Sequence, residues 1–293
     1  MKILILLFIV SHAYSKEIAI TIDDAPMGGT HLTGIERSQK IIQALKETYT
    51  QATFFVNPKK MNEEGIKRID AYEKAQHLIA NHSFSHHELN RVDAATYSED
   101  IKKGHEALKH YTYFVKYFRF PYLREGDTQE KRDGVRKTLK ELGLKNGYVT
   151  VNTYDWHMNN LYQNAIKANR AVNMDEFKKI YIRILIDAAN YYDKMAVDSL
   201  GRSPRHTLLL HENDLTAYFL KDLILALKKD GWSIITADYA YRDPIADFET
   251  NTLFEKNPGR IGEIAHDKKW KGNLWHEACN EKYLEEALKP AGI

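Results

Sequence analysis

From Glu17 onward the chain alternates two kinds of hydrophobic pattern. Short apolar or β-branched runs occupy residues 18–22, 53–56, 77–80, 117–120, 148–151, 207–210 and 233–236. Runs of this length bounded by polar loops predict strands buried on both faces. Between them, apolar residues recur at helical spacing. Ile41, Ile42, Leu45 and Tyr49 mark a helix over 35–49, and Phe177, Ile180, Ile184, Ala188 and Tyr191 mark one over 175–192. A third stripe spans 215–227 and stops at Gly231. Asp127 with Glu130 resembles a capping box opening a helix that Gly143 closes. Strand, loop and helix repeated about seven times predict a parallel sheet covered by helices, as a barrel or an open doubly wound sheet. After residue 250, Trp270, Trp275 and scattered charges predict a short helical extension.

Composition narrows the class. With 42 Lys+Arg against 40 Asp+Glu, the net charge of +2 excludes nucleic-acid binding through a strongly basic face. The 11% aromatic content excludes a disordered chain. No apolar stretch reaches 18 residues, so no membrane anchor is expected in the mature chain. The first fifteen residues stand apart. Lys2, the apolar run at 3–10 and the small residues Ala13 and Ser15 read as a secretory signal peptide, which predicts a periplasmic or secreted protein. The single cysteine, Cys279, excludes an intrachain disulfide framework and suits export.

Reactive side chains recur where the predicted strands end: Asp23-Asp24, His82 and His86, Arg119 with Tyr122, Asp155-Trp156, and His211. In parallel α/β architectures that edge builds the site, so one pocket can collect them all. Each has an ordinary alternative: an Asp pair is commonly a solvated loop, and a lone histidine is commonly a satisfied core residue. His82 and His86 are spaced to share one side of a helical turn, although His87 leaves the pair ambiguous. Two histidines and one Asp make a three-ligand set with an open position, the pattern of catalytic zinc. No H-E-x-x-H is present. A buried Arg119 needs a carboxylate, with Asp23 or Asp155 as the candidates. His211 suits a general acid, with Asp155 fixing its tautomer.

Five segments in order resemble the polysaccharide deacetylases of carbohydrate esterase family 4, the NodB-homology group. They are Thr-Ile-Asp-Asp-Ala-Pro at 21–26, Asn-His-Ser-Phe-Ser-His at 81–86, Arg-Phe-Pro-Tyr at 119–122, Asp-Trp at 155–156 and Leu-Leu-Leu-His at 208–211. The resemblance implies an irregular (β/α) barrel of about seven parallel strands. It divides the chain into a signal peptide (1–15), a catalytic domain (16–250) and a C-terminal extension (251–293). It implies Asp24, His82 and His86 as metal ligands, Asp23 as base oriented by Arg119, and the Tyr122 N–H as an oxyanion donor. His211 becomes the acid, tuned by Asp155, while Trp156 and Leu209 line the acetyl pocket. The implied reaction is attack of metal-activated water on an N-acetyl carbonyl of an amino-sugar polymer, with release of acetate.

The implied metal is Zn2+, with Co2+, Ni2+ or Mn2+ as alternatives. The substrate expectation is peptidoglycan, then a chitin-like glycan. An O-acetyl esterase acting on xylan-like polysaccharide and a non-catalytic glycan-binding module are the competing readings. Several positions depart from the family pattern: Ile22 for Phe, Ala25 for Gly, Leu123 where Gly is common, and Asn152 for a frequent Asp. None removes a ligand, base or acid. The segment 157–206 and the tail after 250 are expected to shape the sugar groove. Tyr111, Tyr113 and Tyr117 alternate as a sugar-stacking face would, although packing is the commoner use of such aromatics.

Overall fold

A computed structural model describes residues 16–29 and 31–293; the expected export signal at 1–15 lies outside the described residues. Its sheet has seven strands: β1 (Lys16–Ala25), β2 (Thr53–Val56), β3 (Leu78–Asn81), β4 (Phe114–Phe118), β5 (Lys145–Asn146), β6 (Arg205–His211) and β7 (Trp232–Ile235). All pairings are parallel. β1 lies at the centre. One edge carries β6 over Glu17–Asp23; the other carries β7 beside Lys16–Ala19 and β2 beside Thr21–Ala25. Outward from β2 come β3, β4 and β5. Ile18, Ala19, Ile20 and Ile22 of β1 are wholly buried, as a strand covered on both faces requires.

The expected strand at 148–151 does not form as one. β5 ends at Asn146, and beyond it Val151 alone makes a β-bridge, to Leu208 of β6. Backbone bonds remain at the segment's far end, from the Thr150 and Val151 N–H groups to Thr207 O and from the Leu209 N–H to Val151 O, and side chains supply the rest. The Tyr148 carbonyl accepts from Arg119 Nη2, Thr207 Oγ1 and the Tyr241 hydroxyl, and Thr150 Oγ1 accepts from the Thr207 N–H. Residues 145–151 nevertheless touch β4 at one end and β6 at the other. They curl the sheet into an irregular barrel.

Helices cover the strands: α1 (Gly34–Glu47), α2 (Glu63–Lys74), α3 (Ala94–Leu108), α4 (Gln129–Leu142), α5 (Asp155–Lys167), α6 (Met174–Leu200), α7 (Asp214–Lys229) and the short α8 (Ala237–Ala240). Thr33 closes a full capping box with Glu36 on α1. At α4 the cap is Thr128, whose hydroxyl accepts from the Lys131 N–H; Asp127 pairs instead with Lys131 Nζ, at 3.0 Å. Gly143 ends that helix with φ 66°, as expected of a left-handed C-cap. α2 and α3 show no clear stripe in the sequence because few apolar residues are spread among many charges. A Cβ on Gly104 of α3 would stand 2.5 Å from Asn81 Oδ1, so glycine lets this helix lie against the end of β3.

The tail folds onto the barrel as α9 (Arg260–Asp267) and α10 (Glu281–Leu288). Ile261, Ile264, Ala278, Leu284 and Leu288 share one hydrophobic core with β1, β2 and β6. Arg260 is the polar anchor: its N–H donates to Val149 O, its Nη1 to Ile245 O, and its Nε to buried Glu263 at 2.9 Å. Replacing Arg260 with Met would strand the Glu263 carboxylate. The expected loss is about 3 kcal/mol of stability, read as a lowered urea midpoint.

Candidate active site

The ends of β1, β3 and β6 and the start of α5 meet around a cavity of about 590 Å³. Asp23, Asp24, His82, His86, Tyr122, Trp156, Leu209 and His211 all line it. Arg119 stands behind the wall, 1% exposed. Asp155 is likewise buried beneath His211. The structure thus brings the ten sequence-selected residues into one neighbourhood, eight on the cavity and two supporting them.

Asp23 and Asp24 diverge although they are adjacent. Asp23 continues the strand opposite His211, whereas Asp24 has φ 68° and turns toward the histidines. The two imidazoles do not meet through a helical turn. Residues 82–87 form a loop in which Ser83 (φ 61°) and His86 (φ 60°) are left-handed, Ser83 Oγ accepts from the His86 N–H, and Asp100 Oδ2 accepts from the Ser85 N–H. One ligand atom each from Asp24, His82 and His86 lies within 4.8 Å of the others. His87 has no place in this group among the described residues.

This donor set fits a divalent cation. His82 Nδ1 stands 2.9 Å from the Arg119 carbonyl, which can only accept, so Nδ1 carries the proton and Nε2 offers its lone pair. His82 Nε2 and His86 Nε2 lie 3.8 and 3.1 Å from Asp24 Oδ1, a buried oxygen without a well-formed hydrogen bond. Lone pairs and a carboxylate facing one another repel unless a proton or a cation lies between them.

Asp23 and His211, the expected base and acid, are held separately. Arg119 Nη1 pairs with Asp23 Oδ1 at 2.7 Å and with Thr21 Oγ1 at 2.8 Å. Its Nε donates to Gly147 O, its Nη2 to the Tyr241 hydroxyl, and its plane lies 3.9 Å from the Phe55 ring centroid. His211 Nδ1 meets Asp155 Oδ1 at 2.6 Å; Asp155 Oδ2 accepts from the His211 N–H and from Asn213 Nδ2. Tyr122 (φ 57°) and Leu123 (φ 55°) are successive left-handed residues. The Leu123 and Arg124 N–H groups donate to Phe120 O and Pro121 O, which leaves the Tyr122 N–H without an acceptor among the described residues. Leu123 keeps a conformation glycine adopts more easily, at roughly 1–2 kcal/mol of strain.

Electrostatics separate the roles further. Burial lifts the Asp23 carboxyl above its ordinary value, and Arg119 only partly opposes this. Burial acts on Asp24 too, but the close approach and charge of His86, with Lys60 and His82, hold it well below the ordinary range. Burial and the neighbouring His86 charge keep His82 neutral, the form that ligates. Burial pulls His211 down, yet the charge and hydrogen bond of Asp155, followed by Asp24 and Asp23, lift it to about 9. Adjacent carboxyls pushed in opposite directions mark different tasks.

Sequence reasoning missed several supports. Thr21 and Tyr241 complete the Arg119 cage, Asn213 holds Asp155, and Lys60 Nζ lies 3.6 Å from Asp24 Oδ1. Strand alternation alone could have flagged Thr21, two positions before Asp23. Nothing local marks the others. Tyr111 and Tyr117 are buried and donate to Asp70 and Asp238, away from the cavity; they pack rather than present a face.

Residues 12–147 match the profile of the family described as Polysaccharide deacetylase. A peptidoglycan-N-acetylglucosamine deacetylase of Bacillus cereus is 32% identical over 50% of this chain and 49% of its own. The chain therefore spans about half the length of that curated relative. Among solved structures, a family 4 carbohydrate esterase of Streptomyces lividans in complex with acetate aligns with TM-score 0.51 at 19% identity, over 78% of this chain and 97% of that one. A family 4 protein of Bacillus anthracis described as a pseudoenzyme aligns with TM-score 0.52 at 19% identity, over 77% and 65%. These likenesses establish the barrel fold.

The cluster predicts that the protein binds one divalent ion, measurable by calorimetry with Zn2+. Asp24→Ala should weaken binding by more than the roughly 10–100-fold typical of losing an outer-shell partner.

Proposed function

We propose that the chain belongs to the polysaccharide deacetylase family and hydrolyses N-acetyl groups on an amino-sugar polymer outside the cytoplasm, with peptidoglycan favoured; the match over residues 12–147 and the likeness to the Bacillus cereus relative support this reading. The observation that carries this reading is the set of groups gathered at one cavity: Asp24, His82 and His86 clustered as ligands would be, with Asp23, the Tyr122 N–H and His211 beside them. Since a pseudoenzyme shares the barrel, the fold could not carry the reading by itself. The likeness to the Bacillus cereus peptidoglycan-N-acetylglucosamine deacetylase supports peptidoglycan, while likenesses to chitin and chitooligosaccharide deacetylases keep chitin-like glycans as the second reading. The apolar run at 3–10 supports export. No helix among the described residues is long and apolar enough to cross a membrane.

Asp24, His82 and His86 would hold a divalent cation, most suitably Zn2+, which would supply Lewis acidity toward the acetyl carbonyl and lower the pKa of water. The remaining work falls to this chain's own groups. Asp23, fixed by Arg119, accepts a proton from the attacking water. The Tyr122 N–H donates to the oxygen that gains negative charge at the tetrahedral stage. Leu209 and Trp156 form the apolar side of the cavity, suited to the acetyl methyl. An amine leaves poorly unless protonated, and His211, charged at neutral pH through Asp155, delivers that proton. Acetate and a free amino sugar result.

Metal-loaded protein should release acetate from purified peptidoglycan, and Asp24→Ala should release none; equal release by both would overturn the assignment of Asp24. His211 must be protonated to act, so kcat should fall as pH rises through its value in the complex. Asp155→Asn removes the main force lifting that value above 6.5, and the alkaline limb should move to lower pH. An O-acetyl ester needs less help at its leaving group. His211→Ala should therefore lose on the order of 10²–10⁴-fold on the amide and distinctly less on an acetyl ester.

A further inference from the structure

The cavity extends beyond what the acetyl group and the reacting atoms require. One wall of it comes from the tail, outside the segment that matches the family profile. Lys256, Trp275 and Glu281 reach the same space as Asp23 and His211. Lys256 and Glu281 are exposed, and Trp275 is half-buried. Tyr154 and Trp156 continue this wall, with ring centroids 5.1 Å apart.

The Trp275 loop is fixed at both ends. The Ala278 carbonyl accepts from the Tyr154 N–H at 2.9 Å, and Cys279 Sγ donates to the Asn152 carbonyl. On the other side, the Tyr191 hydroxyl donates to Asn273 O, and the Tyr192 hydroxyl accepts from the His276 N–H. A loop bonded to both α6 and the residues just before α5 is held at the cavity rim. A half-buried indole between exposed polar side chains offers an apolar face beside hydrogen-bonding groups. A sugar ring presents the same combination, with C–H bonds on its faces and hydroxyls on its edge.

We propose that residues 256–281 form a subsite for a second sugar of the glycan, with Trp275 as its stacking platform and Lys256 and Glu281 as partners for ring hydroxyls. This inference rests on the glycan reading above and goes beyond it. The enzyme recognises at least two linked sugars, and the tail sets which unit of a polymer is placed at Asp23 and His211.

The test compares acetate release from N-acetylglucosamine tetramer and monomer by metal-loaded wild type, Trp275→Ala and Trp275→Phe, with thermal melts verifying that each is folded. Trp275→Ala should raise the KM for the tetramer at least about tenfold, with kcat changed less than about twofold, which is the signature of lost uniform binding. Trp275→Phe, which keeps an aromatic face, should recover most of the loss. An unchanged tetramer KM, or a fall in kcat alone, would overturn the subsite while leaving the deacetylase reading intact. No acetate from tetramer, monomer or peptidoglycan with wild type would overturn both.

Discussion

The buried pair of Arg119 with Asp23 is the contact on which the rest of the site depends. Both side chains are almost fully desolvated, and a lone charge at that depth is strongly unfavourable. The guanidinium is satisfied because β1 supplies Thr21 and Asp23, the segment after β5 supplies the carbonyls of Gly147 and Tyr148, and the end of α8 supplies the Tyr241 hydroxyl. Its backbone takes part as well, since the Arg119 carbonyl fixes the tautomer of His82. One residue therefore orients Asp23 through its side chain and His82 through its main chain. The same contacts occupy the Gly147 and Tyr148 carbonyls at the point where the barrel closes irregularly.

Much of this is legible in the sequence. Buried parallel strands announce themselves as uninterrupted apolar runs, so six of the seven lie within a few residues of a run that predicts them. The exception, 148–151, has the composition of a strand, but its hydrogen bonds go to Thr207, Arg119 and Tyr241, a competition between side chains and ladder that composition does not record. The long stripe of α6 is evident, although the helix continues to Leu200. α2 and α3 are not evident, because an amphipathic pattern with so few apolar residues gains its stability from packing rather than from its own periodicity.

The candidate site is legible for a different reason. Its principal residues sit at strand ends, the edge at which a parallel α/β architecture concentrates its chemistry. What the sequence could not supply is their mode of presentation. The four-residue spacing of His82 and His86 suits a helix, but a loop with two left-handed residues achieves the same convergence. Thr21, Tyr241, Asn213 and Lys60 act across long sequence separations. The tail is legible as helical but not as part of the common core, since burial of Leu284 and Leu288 against the barrel depends on a surface built by distant elements.

The cation ligands and the proton-transfer groups differ in how much chain they require. Asp24, His82 and His86 fall within a single early stretch and depend on β1 and β3. Asp23 is held by Arg119, which Tyr241 helps to satisfy, and His211 is held by a contact with Asp155, 56 residues earlier. These are separable inheritances. Substitutions around Asp155 and His211 would remove that contact and leave Asp24, His82 and His86 in place, so a descendant of this barrel could keep the three-residue cluster without the histidine–carboxylate pair. In such a descendant the three-residue cluster alone would not distinguish a working site from a silent one.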